Sequence, residues 1–187
     1  MEFLRMTRLF VALKIPEIVR VELLNHCFHA AENPLRYKWE DKDKIHLTLK
    51  FIGDVEEDLV GPITNELEFV KNYSAFSCTI SHFGFFFKDN EPRILWSDLE
   101  TDETVHSLVD ELNARLEKFN IVSEKRKFKG HLTLLRVKVD VTEKFIKRFK
   151  GYSFDKIIFK ANEIALVQSR LAQGGSMYTD LKTYELK

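Results

Sequence analysis

The hydrophobic pattern of the chain changes between two periods along its whole length. Short apolar runs rich in strand formers predict strands, and apolar residues three or four positions apart predict helices. The predicted strands cover 9–13, 45–52, 76–87 (one or two strands), 93–99, 131–139, 154–160, 163–169 and 177–186. The predicted helices cover 16–30, 56–73, a segment that follows Asp102, and 142–149. Strands and helices interspersed in this way predict a mixed α/β class.

Individual residues predict where these elements begin and end. Pro16 suits the first turn of a helix, Asp102 suits an N-cap, and Gly61-Pro62 marks the start of the second helix proper. Gly53-Asp54 is expected to stop the second strand, and Gly174-Gly175 to form the turn of a terminal hairpin. The apolar residues that define the helices are Ile18, Val21, Leu24 and Phe28 in the first, Leu59, Ile63, Leu67 and Val70 in the second, and Val105, Leu108, Val109, Leu112 and Leu116 in the third.

Length and composition limit the class of protein. With 187 residues, of which 44% are hydrophobic and 16 are Phe, the chain can form one compact domain or two small lobes with a full core. Intrinsic disorder is excluded, and no stretch approaches the ~18 apolar residues of a membrane span. Cys27 and Cys78 are expected to be reduced core residues. Because the N-terminus also lacks the apolar region of a secretory signal, we expect a cytoplasmic protein without membrane contact.

The charges of the chain balance, with 29 Lys and Arg against 29 Asp and Glu. Whole-chain charge therefore does not predict a nucleic-acid binder. The segment 124–138 differs, because its charged residues are six basic ones and one acidic one: Lys125, Arg126, Lys127, Lys129, Arg136 and Lys138 against Glu124. Taken alone, such a segment is more often a solvated loop than a binding site.

One tetrapeptide occurs twice, each time on a predicted strand. His46-Leu47-Thr48-Leu49 returns in the second half of the chain as His131-Leu132-Thr133-Leu134. Side chains two apart on a strand share a face, so each copy presents an imidazole and a hydroxyl on one face and two leucines on the other. Packing alone would require the leucines, but not the His and Thr between them. The repetition therefore favours a functional site built from two matching halves.

Two histidines across a cleft can divide the work of a general acid and a general base. The ordinary imidazole pKa of about 6.5 allows the ring to give or take a proton at neutral pH. Threonine hydroxyls can donate hydrogen bonds to anionic oxygens. An acid and a base on opposite sides of phosphorus suit in-line attack by water and departure of a ribose oxygen. The predicted substrate is therefore a phosphodiester.

The ordered motifs resemble the two-histidine (2H) phosphoesterase superfamily, and within it the RNA 2′,3′-cyclic phosphodiesterase family, historically named 2′-5′ RNA ligase. The resemblance covers nearly the whole chain. The matching segments are 8–13 with Pro16, Trp39 ahead of 46–53, 92–96, 131–136, 166–171, and the closing Gly175, Tyr178 and Leu181. It implies an α+β class with a bilobal, two-fold pseudo-symmetric LigT-like fold, in which two antiparallel sheets face each other across a central cleft with helices outside. We expect residues 1–187 to form one such bilobal domain.

Carried over residue by residue, the resemblance implies that His46 donates a proton to the leaving ribose oxygen and that His131 activates water. Thr48 and Thr133 would hold the non-bridging phosphate oxygens, and Arg136 would add positive charge. A regular strand would turn Arg136 to the face opposite His131, so this role requires a bulge or a strand end.

The residue before the second motif departs from the family pattern, and the residues before the Arg-Leu-Phe motif bear on the start of the chain. The family usually has Pro before the second motif, whereas this chain has Gly130, which predicts a more flexible approach to His131. The family's first residue tends to fall just before the Arg-Leu-Phe motif, which points to Met6 as the initiator.

The expected activity is metal-independent and cofactor-free hydrolysis, by a monomer, of an RNA or oligonucleotide 2′,3′-cyclic phosphate end to a 2′-phosphate end. The basic segment is expected to guide the RNA end toward the cleft. Three alternatives remain: a cyclic phosphodiesterase for single nucleotides, 2′-5′ RNA end joining, and a non-catalytic module that binds RNA phosphate. The intact histidines argue against the last, because binding alone favours Arg or Lys.

The remaining candidate residues are expected to be structural. His26 and His29 could share a helix face, but no carboxylate or Cys set completes a metal site. His82 and His106 show no partner pattern. The aromatic run Phe83, Phe85, Phe86 and Phe87 is expected in the core and at sheet edges rather than as a base-stacking platform. For Trp39 both base stacking and a structural role stay open.

Overall fold

The computed structural model describes residues 5–124, 127–137, 141–173 and 175–187, so Gly174 of the predicted hairpin turn lies outside the described residues. The strands are β1 Met6–Lys14, β2 His46–Glu56, β3 Phe76–Ile80, β4 Phe83–Lys88, β5 Glu91–Asp98, β6 Glu100–Thr101, β7 His131–Arg136, β8 Ile157–Ala161, β9 Glu163–Ala172 and β10 Gly175–Glu185. The α-helices are α1 Glu17–Ala30, α2 Val60–Glu66, α3 Thr104–Leu116 and α4 Glu143–Gly151. Within these described ranges, no helix has the length and apolar character to cross a membrane.

The first lobe is built on a four-stranded antiparallel sheet in the order β10-β9-β1-β2. The apolar run of β1 is buried on both faces of this sheet. Leu9, Val11 and Leu13 belong to the main core, whereas Phe10 and Ala12 belong to a small second cluster on the other face. A continuous apolar run is what a strand covered on both sides requires. The second face of the sheet is the one that carries the site described below.

The second lobe divides its strands between two three-stranded antiparallel sheets, β6-β3-β8 and β4-β5-β7. The resemblance implied one sheet per lobe. The break falls between β3 and β4, where the amides of Ser81 and His82 donate to the buried carboxylate of Asp98 at 2.9 and 2.8 Å. Because these two amides bind a side chain, they are not available to a neighbouring strand. The α+β class is as expected, with this division of the second sheet.

Strand β2 continues through Gly53-Asp54, so the predicted stop there was wrong. The register between β1 and β2 shifts between Leu9 and Phe10, which leaves Ile52 as an extra residue. Gly53 has a φ of 88°, a conformation that glycine adopts at little steric cost. The glycine therefore accommodates a bulge that bends the strand instead of ending it.

Helices α3 and α4 follow their predicted patterns. The five buried residues of α3 are the five predicted ones. Its N-cap is Glu103, one residue after the predicted Asp102, whose Oδ1 accepts a hydrogen bond from the amide of Thr104 at 3.2 Å. The Thr142 side chain caps α4 by accepting from the amide of Phe145 at 3.2 Å. The predicted second helix consists of α2 between two 3₁₀ segments. Its buried residues belong to the predicted stripe: Ile63, Leu67 and Val70.

Helix α1 buries a different face from the one that its predicted apolar residues mark. The buried residues are Val19, Leu23, Cys27 and Ala30. Ile18 is 74% exposed and Phe28 is 43% exposed. Apolar residues lie on more than one side of this helix, so their spacing predicts a helix but not its buried face. Packing against the rest of the chain makes that choice.

The main core is one contiguous cluster that contains residues from both halves of the chain. Leu47 of the first motif and Leu132 of the second belong to it. Cys27 and Cys78 are also buried in it as free thiols, as predicted. Burial is the largest cause that raises the pKa of the Cys78 thiol, to about 12. Both thiols therefore stay protonated and unreactive at neutral pH.

Candidate active site

The two repeated motifs face one cavity between the lobes. His46 and Thr48 come from β2, the edge strand of the first sheet, and His131 and Thr133 come from β7, the edge strand of a second-lobe sheet. All four line a cavity of about 860 Å³. The leucines between and after them are buried. The predicted alternation of each motif is therefore present, and the structure brings the four polar side chains together.

Both nitrogens of the His46 imidazole are close to protein oxygens, and two aromatic rings contact it. Its Nδ1 donates to the carbonyl oxygen of Lys44 at 2.7 Å, since a carbonyl can only accept, and Nε2 lies 3.2 Å from Oγ1 of Thr48. The ring stacks on Phe10 with centroids 4.9 Å apart, and Tyr178 meets it edge-on at 5.5 Å. Burial among these groups is the largest cause that lowers the pKa of His46, to about 4. The neutral ring, with a lone pair on Nε2, is thus favoured in the free protein.

The His131 imidazole repeats this anchor in a more open setting. Its Nδ1 donates to the carbonyl oxygen of Lys129 at 2.9 Å, again two residues earlier in the chain. The ring meets Phe86 edge-on, with centroids 4.9 Å apart. A fixed Nδ1–H sets the tautomer and leaves Nε2 as the reactive nitrogen. The two histidines are therefore matched in tautomer, and they differ in how deeply they are enclosed.

Arg136 lines the same cavity, because β7 contains the bulge that this position requires. The register with β5 shifts between Leu95 and Trp96, which leaves Leu134 as an extra residue. Leu134 and Leu135 are both buried, and the alternation resumes one residue late. A bulge of this kind re-aims the side chains that follow it. Arg136 is thereby turned to the face of His131.

Strand β2 has the same bulge at the equivalent place. Its register with β1 also shifts between Val11 and Ala12, so Leu49 is an extra residue there. The residue five positions after His46 is Phe51, which lines the cavity and is 63% exposed. Equivalent positions of the two lobes therefore present different chemistry, a cation from one and an exposed aromatic ring from the other.

Glu40 also lines the cavity, and no motif or spacing in the sequence pointed to it. Its Oε1 accepts from Nε of Arg136 at 3.1 Å. The preceding residue, Trp39, forms a β-bridge with Leu135 and donates from Nε1 to the carbonyl oxygen of Pro34 at 2.9 Å. These contacts give Trp39 a structural role, which answers the question that the sequence left open. The partners of Glu40 are distant in the chain, so only the fold shows the contact.

The described part of the predicted basic segment reaches the cavity. Lys127 and Lys129 line it. Nζ of Lys129 lies 4.8 Å from the ring centroid of Trp96 and 5.8 Å from that of Phe86. Contact with aromatic faces holds an ammonium group while it keeps its charge. The other members of this segment that were singled out, Lys125, Arg126 and Lys138, lie outside the described residues.

The predicted aromatic run is divided between the core and the cavity. Phe83 and Phe85 are buried in the core, as predicted. Phe86 lies on β4, an edge strand, and lines the cavity beside His131. The alternation of a strand sends these neighbours to opposite faces.

Three of the four histidines outside the repeated motifs have structural partners, and the fourth, His29, is exposed on α1. His26 stacks on Phe154 at 4.6 Å, Nδ1 of His82 lies 3.1 Å from the carboxylate of Asp98, and His106 meets Phe128 edge-on at 5.6 Å. Over the described ranges, no group of three or more His, Cys, Asp or Glu side chains is placed to hold a metal ion.

Relatives similar to this chain over most of its length come from bacteria and archaea. A protein of Thermotoga maritima is 27% identical over 172 residues, which cover 91% of each chain. One of Methanocaldococcus jannaschii is 28% identical over 181 residues, which cover 95% of this chain and 99% of the relative. Both are named RNA 2′,3′-cyclic phosphodiesterase.

Solved structures share the fold over nearly the whole chain. The crystal structure of TT0787 of Thermus thermophilus gives a TM-score of 0.75 at 26% identity and covers 95% of this chain and 97% of that one. Escherichia coli LigT, crystallised in complex with 3′-AMP, gives a TM-score of 0.76 at 22% identity and covers 98% and 99%. Because LigT is only 22% identical to this chain, the similarity to LigT shows a shared fold and nothing more.

The two lobes, the two edge strands and the facing His-x-Thr pairs are the arrangement that the resemblance to the two-histidine phosphoesterases implied. A family model described as LigT like Phosphoesterase matches residues 15–96, which include the first motif. The relatives extend the similarity over the rest of the chain, including the second motif. The chain is therefore similar to the LigT-like phosphoesterases in motifs, sequence and fold.

Proposed function

We propose that this chain hydrolyses the 2′,3′-cyclic phosphate end of an RNA or oligonucleotide and leaves a 2′-phosphate end. The observation that carries the proposal is the matched pair of imidazoles. Each Nδ1 donates to the carbonyl oxygen two residues earlier, and each ring lines the same cavity, so two reactive Nε2 atoms serve one substrate. The relatives named RNA 2′,3′-cyclic phosphodiesterase support this substrate class.

In the proposed reaction, Nε2 of His131 takes a proton from water while the water oxygen attacks phosphorus. The bond between phosphorus and the ribose 3′-oxygen breaks, and Nε2 of His46 gives that oxygen its proton. The hydroxyls of Thr48 and Thr133 donate to the non-bridging oxygens, and Arg136 supplies positive charge as negative charge develops there. One water is consumed, and the product has a 2′-phosphate and a 3′-hydroxyl.

His46 must be protonated in this assignment, although the free site favours its neutral ring. Burial lowers the pKa of His46 to about 4. The phosphate of the substrate places a negative charge beside the ring, which raises the pKa again. We therefore propose that the proton is taken up together with the substrate.

The proposed mechanism requires no metal ion. Proton acceptance, proton donation and charge stabilisation are each assigned to a side chain of the cavity wall. Hydrolysis that persists in EDTA is the expected result, and loss of activity in EDTA that added metal restores would contradict this part of the proposal.

The test is hydrolysis of a short RNA that ends in a 2′,3′-cyclic phosphate, with EDTA present and the product terminus identified. The wild type is compared with His46→Ala and His131→Ala. A matched control is His29→Ala, because His29 is an exposed residue of α1 that does not line the cavity. We expect both cavity variants to lose at least ~100-fold in kcat, and the control to keep wild-type activity. Thermal unfolding shows whether each variant is folded.

The outcomes separate the proposal from its rivals. Turnover to a 2′-phosphate that depends on both histidines supports it, together with a bell-shaped dependence of kcat/KM on pH. No turnover by folded wild type, with RNA affinity kept in both alanine variants, would overturn it in favour of a binding module. Faster turnover of a mononucleotide cyclic phosphate, or joining in the presence of a 5′-hydroxyl RNA, would correct the substrate or the direction.

A further inference from the structure

Arg136, the cation assigned to the phosphate, is paired with a carboxylate of the cavity wall. Its Nε donates to Oε1 of Glu40 at 3.1 Å. Half of the arginine side chain is exposed, whereas the glutamate side chain is only 19% exposed. The pair has no net charge, so an anion that enters the cavity meets a carboxylate beside its guanidinium partner.

The backbone keeps Glu40 in this place. The amide of Glu40 donates to the carbonyl oxygen of Leu134 at 2.9 Å, and the preceding residue, Trp39, bridges to Leu135. Trp39 is itself fixed by its bond to Pro34 and by an edge-on contact with Phe28 at 5.7 Å. Both bonds to β7 fall at its bulge, two residues or fewer before Arg136. The backbone of Glu40 is therefore fixed beside Arg136 by contacts other than the ion pair.

The substrate and the product of the proposed reaction differ in charge. A cyclic phosphodiester carries one negative charge, whereas a phosphomonoester carries about 1.5 to 2 at neutral pH. The repulsion between a fixed carboxylate and a ligand grows with the charge of the ligand. A carboxylate at this place therefore disfavours the product more than the substrate.

We propose that Glu40 is a specificity-determining residue that discriminates the cyclic phosphodiester from the phosphomonoester product and so promotes product release. This inference rests on the proposed function, because it assumes that Arg136 meets the phosphate. It assigns no proton transfer to Glu40. The residue acts through its charge and through its contact with Arg136.

The experiment measures the equilibrium binding of three RNAs of one sequence, which end in a 2′,3′-cyclic phosphate, a 2′-phosphate or a 2′-hydroxyl. Binding is measured in the His131→Ala background so that the cyclic end is not consumed. Glu40→Gln removes the charge and keeps an oxygen that can accept from Arg136. Glu40→Ser removes the charge in a second way, and the backbone bond to Leu134 is kept in both. The matched control is Glu66→Gln, because Glu66 pairs with Arg115 at the same 3.1 Å, is 15% exposed, and does not line the cavity.

We expect removal of the Glu40 charge to lower the Kd of the 2′-phosphate RNA on the order of tenfold and that of the cyclic RNA about threefold, with the hydroxyl-ended RNA unchanged. With His131 intact, product inhibition should strengthen by the same factor as product binding. The Glu66 variant should bind all three RNAs as its parent does.

Equal changes for the two phosphate ends, or no change, would overturn the assignment of Glu40. That result is distinct from failure of the proposed function, which would appear as a folded wild type that does not hydrolyse the cyclic end. If hydrolysis is present and the ratio of the two affinities is insensitive to Glu40, only the present inference fails.

Discussion

The ring of His46 contacts both Phe10 and Tyr178, and both its nitrogens are engaged by protein groups. The equivalent ring of His131 has the same backbone anchor, and Phe86 is the aromatic ring that contacts it. One sequence motif thus produces two imidazoles in unlike surroundings. This difference has a consequence for stability as well as for proton transfer.

We predict that the enclosed ring makes the free energy of unfolding depend on pH. The pKa of His46 is lowered from its ordinary value of about 6.5 to about 4 in the folded chain. Between these values the unfolded chain binds a proton that the folded chain does not, so stability falls as pH decreases through this window and is fully present above it. Denaturant unfolding at about pH 7 and about pH 5 should show a loss of about 2 kcal/mol in wild type that His46→Gln lacks.

The control for this experiment is His29→Gln, since His29 is exposed on α1. It should keep the pH dependence of wild type. A His46→Gln variant that loses as much stability as wild type over the same window would show that His46 is not the group responsible.

Gly130 supports His131 by close packing, in contrast to the flexible approach that the sequence predicted. A Cβ built at Gly130 would lie 2.4 Å from the carbonyl oxygen of Leu99, which is backbone and cannot rotate away. We predict that Gly130→Ala costs about 1–3 kcal/mol of stability and lowers kcat, because the adjacent His131 must shift. Gly151→Ala is the matched control, since nothing lies within 4 Å of its Cβ. Equal stability and activity for both variants would contradict this account.

At the level of the secondary-structure element, each motif strand carries a bulge at its second leucine. The bulges bring the residue five positions after each histidine onto the cavity face, Phe51 in β2 and Arg136 in β7. A regular pleat would have turned both residues the other way. The bulges therefore widen the set of cavity residues beyond the motifs themselves.

We predict that Arg136 and Phe51 contribute to RNA binding by different interactions, a charge contact and base stacking respectively. Arg136→Gln should weaken binding of a phosphate-ended RNA at low salt and have a smaller effect at high salt, because salt screens a contact between charges. Phe51→Ala should weaken binding by about 1–3 kcal/mol with little salt dependence, because an exposed ring acts through stacking. Affinity measured over a range of salt concentrations distinguishes them. Parallel salt slopes for the two variants would contradict the distinction.

Across the molecule as a whole, the two lobes share one contiguous core while the cavity lies between them. The second-lobe strands divide into two sheets, but their buried residues join the same cluster as those of the first sheet. We therefore propose that the chain is a single bilobal domain. We also propose that a monomer is sufficient for activity.

We predict a single cooperative unfolding transition for the two lobes. Both tryptophans contact β7 of the second lobe, Trp96 opposite Thr133 and Trp39 opposite Leu135, so tryptophan fluorescence reports that lobe, whereas far-ultraviolet circular dichroism reports both. The two signals should give the same midpoint and slope in denaturant. Separate midpoints would show that the lobes unfold independently. Sedimentation at the concentration of the activity assay tests whether the protein is a monomer.

Local periodicity and repetition in the sequence were enough to predict features that depend on a few neighbouring residues. The buried stripe of α3 and the exposure of His46 and Thr48 on one strand face each follow from such short spacing. The buried face of α1 did not follow, because apolar residues surround that helix. Nor did the passage of β2 through Gly53, because a glycine permits either a turn or a bulge.

The tertiary fold determines which residues that are distant in the sequence come into contact. The contact between Glu40 and Arg136, the enclosure of His46 by Phe10 and Tyr178, and the fit of Gly130 against Leu99 each join residues that are far apart along the chain or in different elements. Spacing within a motif fixes which face a side chain occupies, since that depends on local backbone geometry. The pKa, the ion pair and the packing of that side chain depend on neighbours that only the tertiary fold supplies.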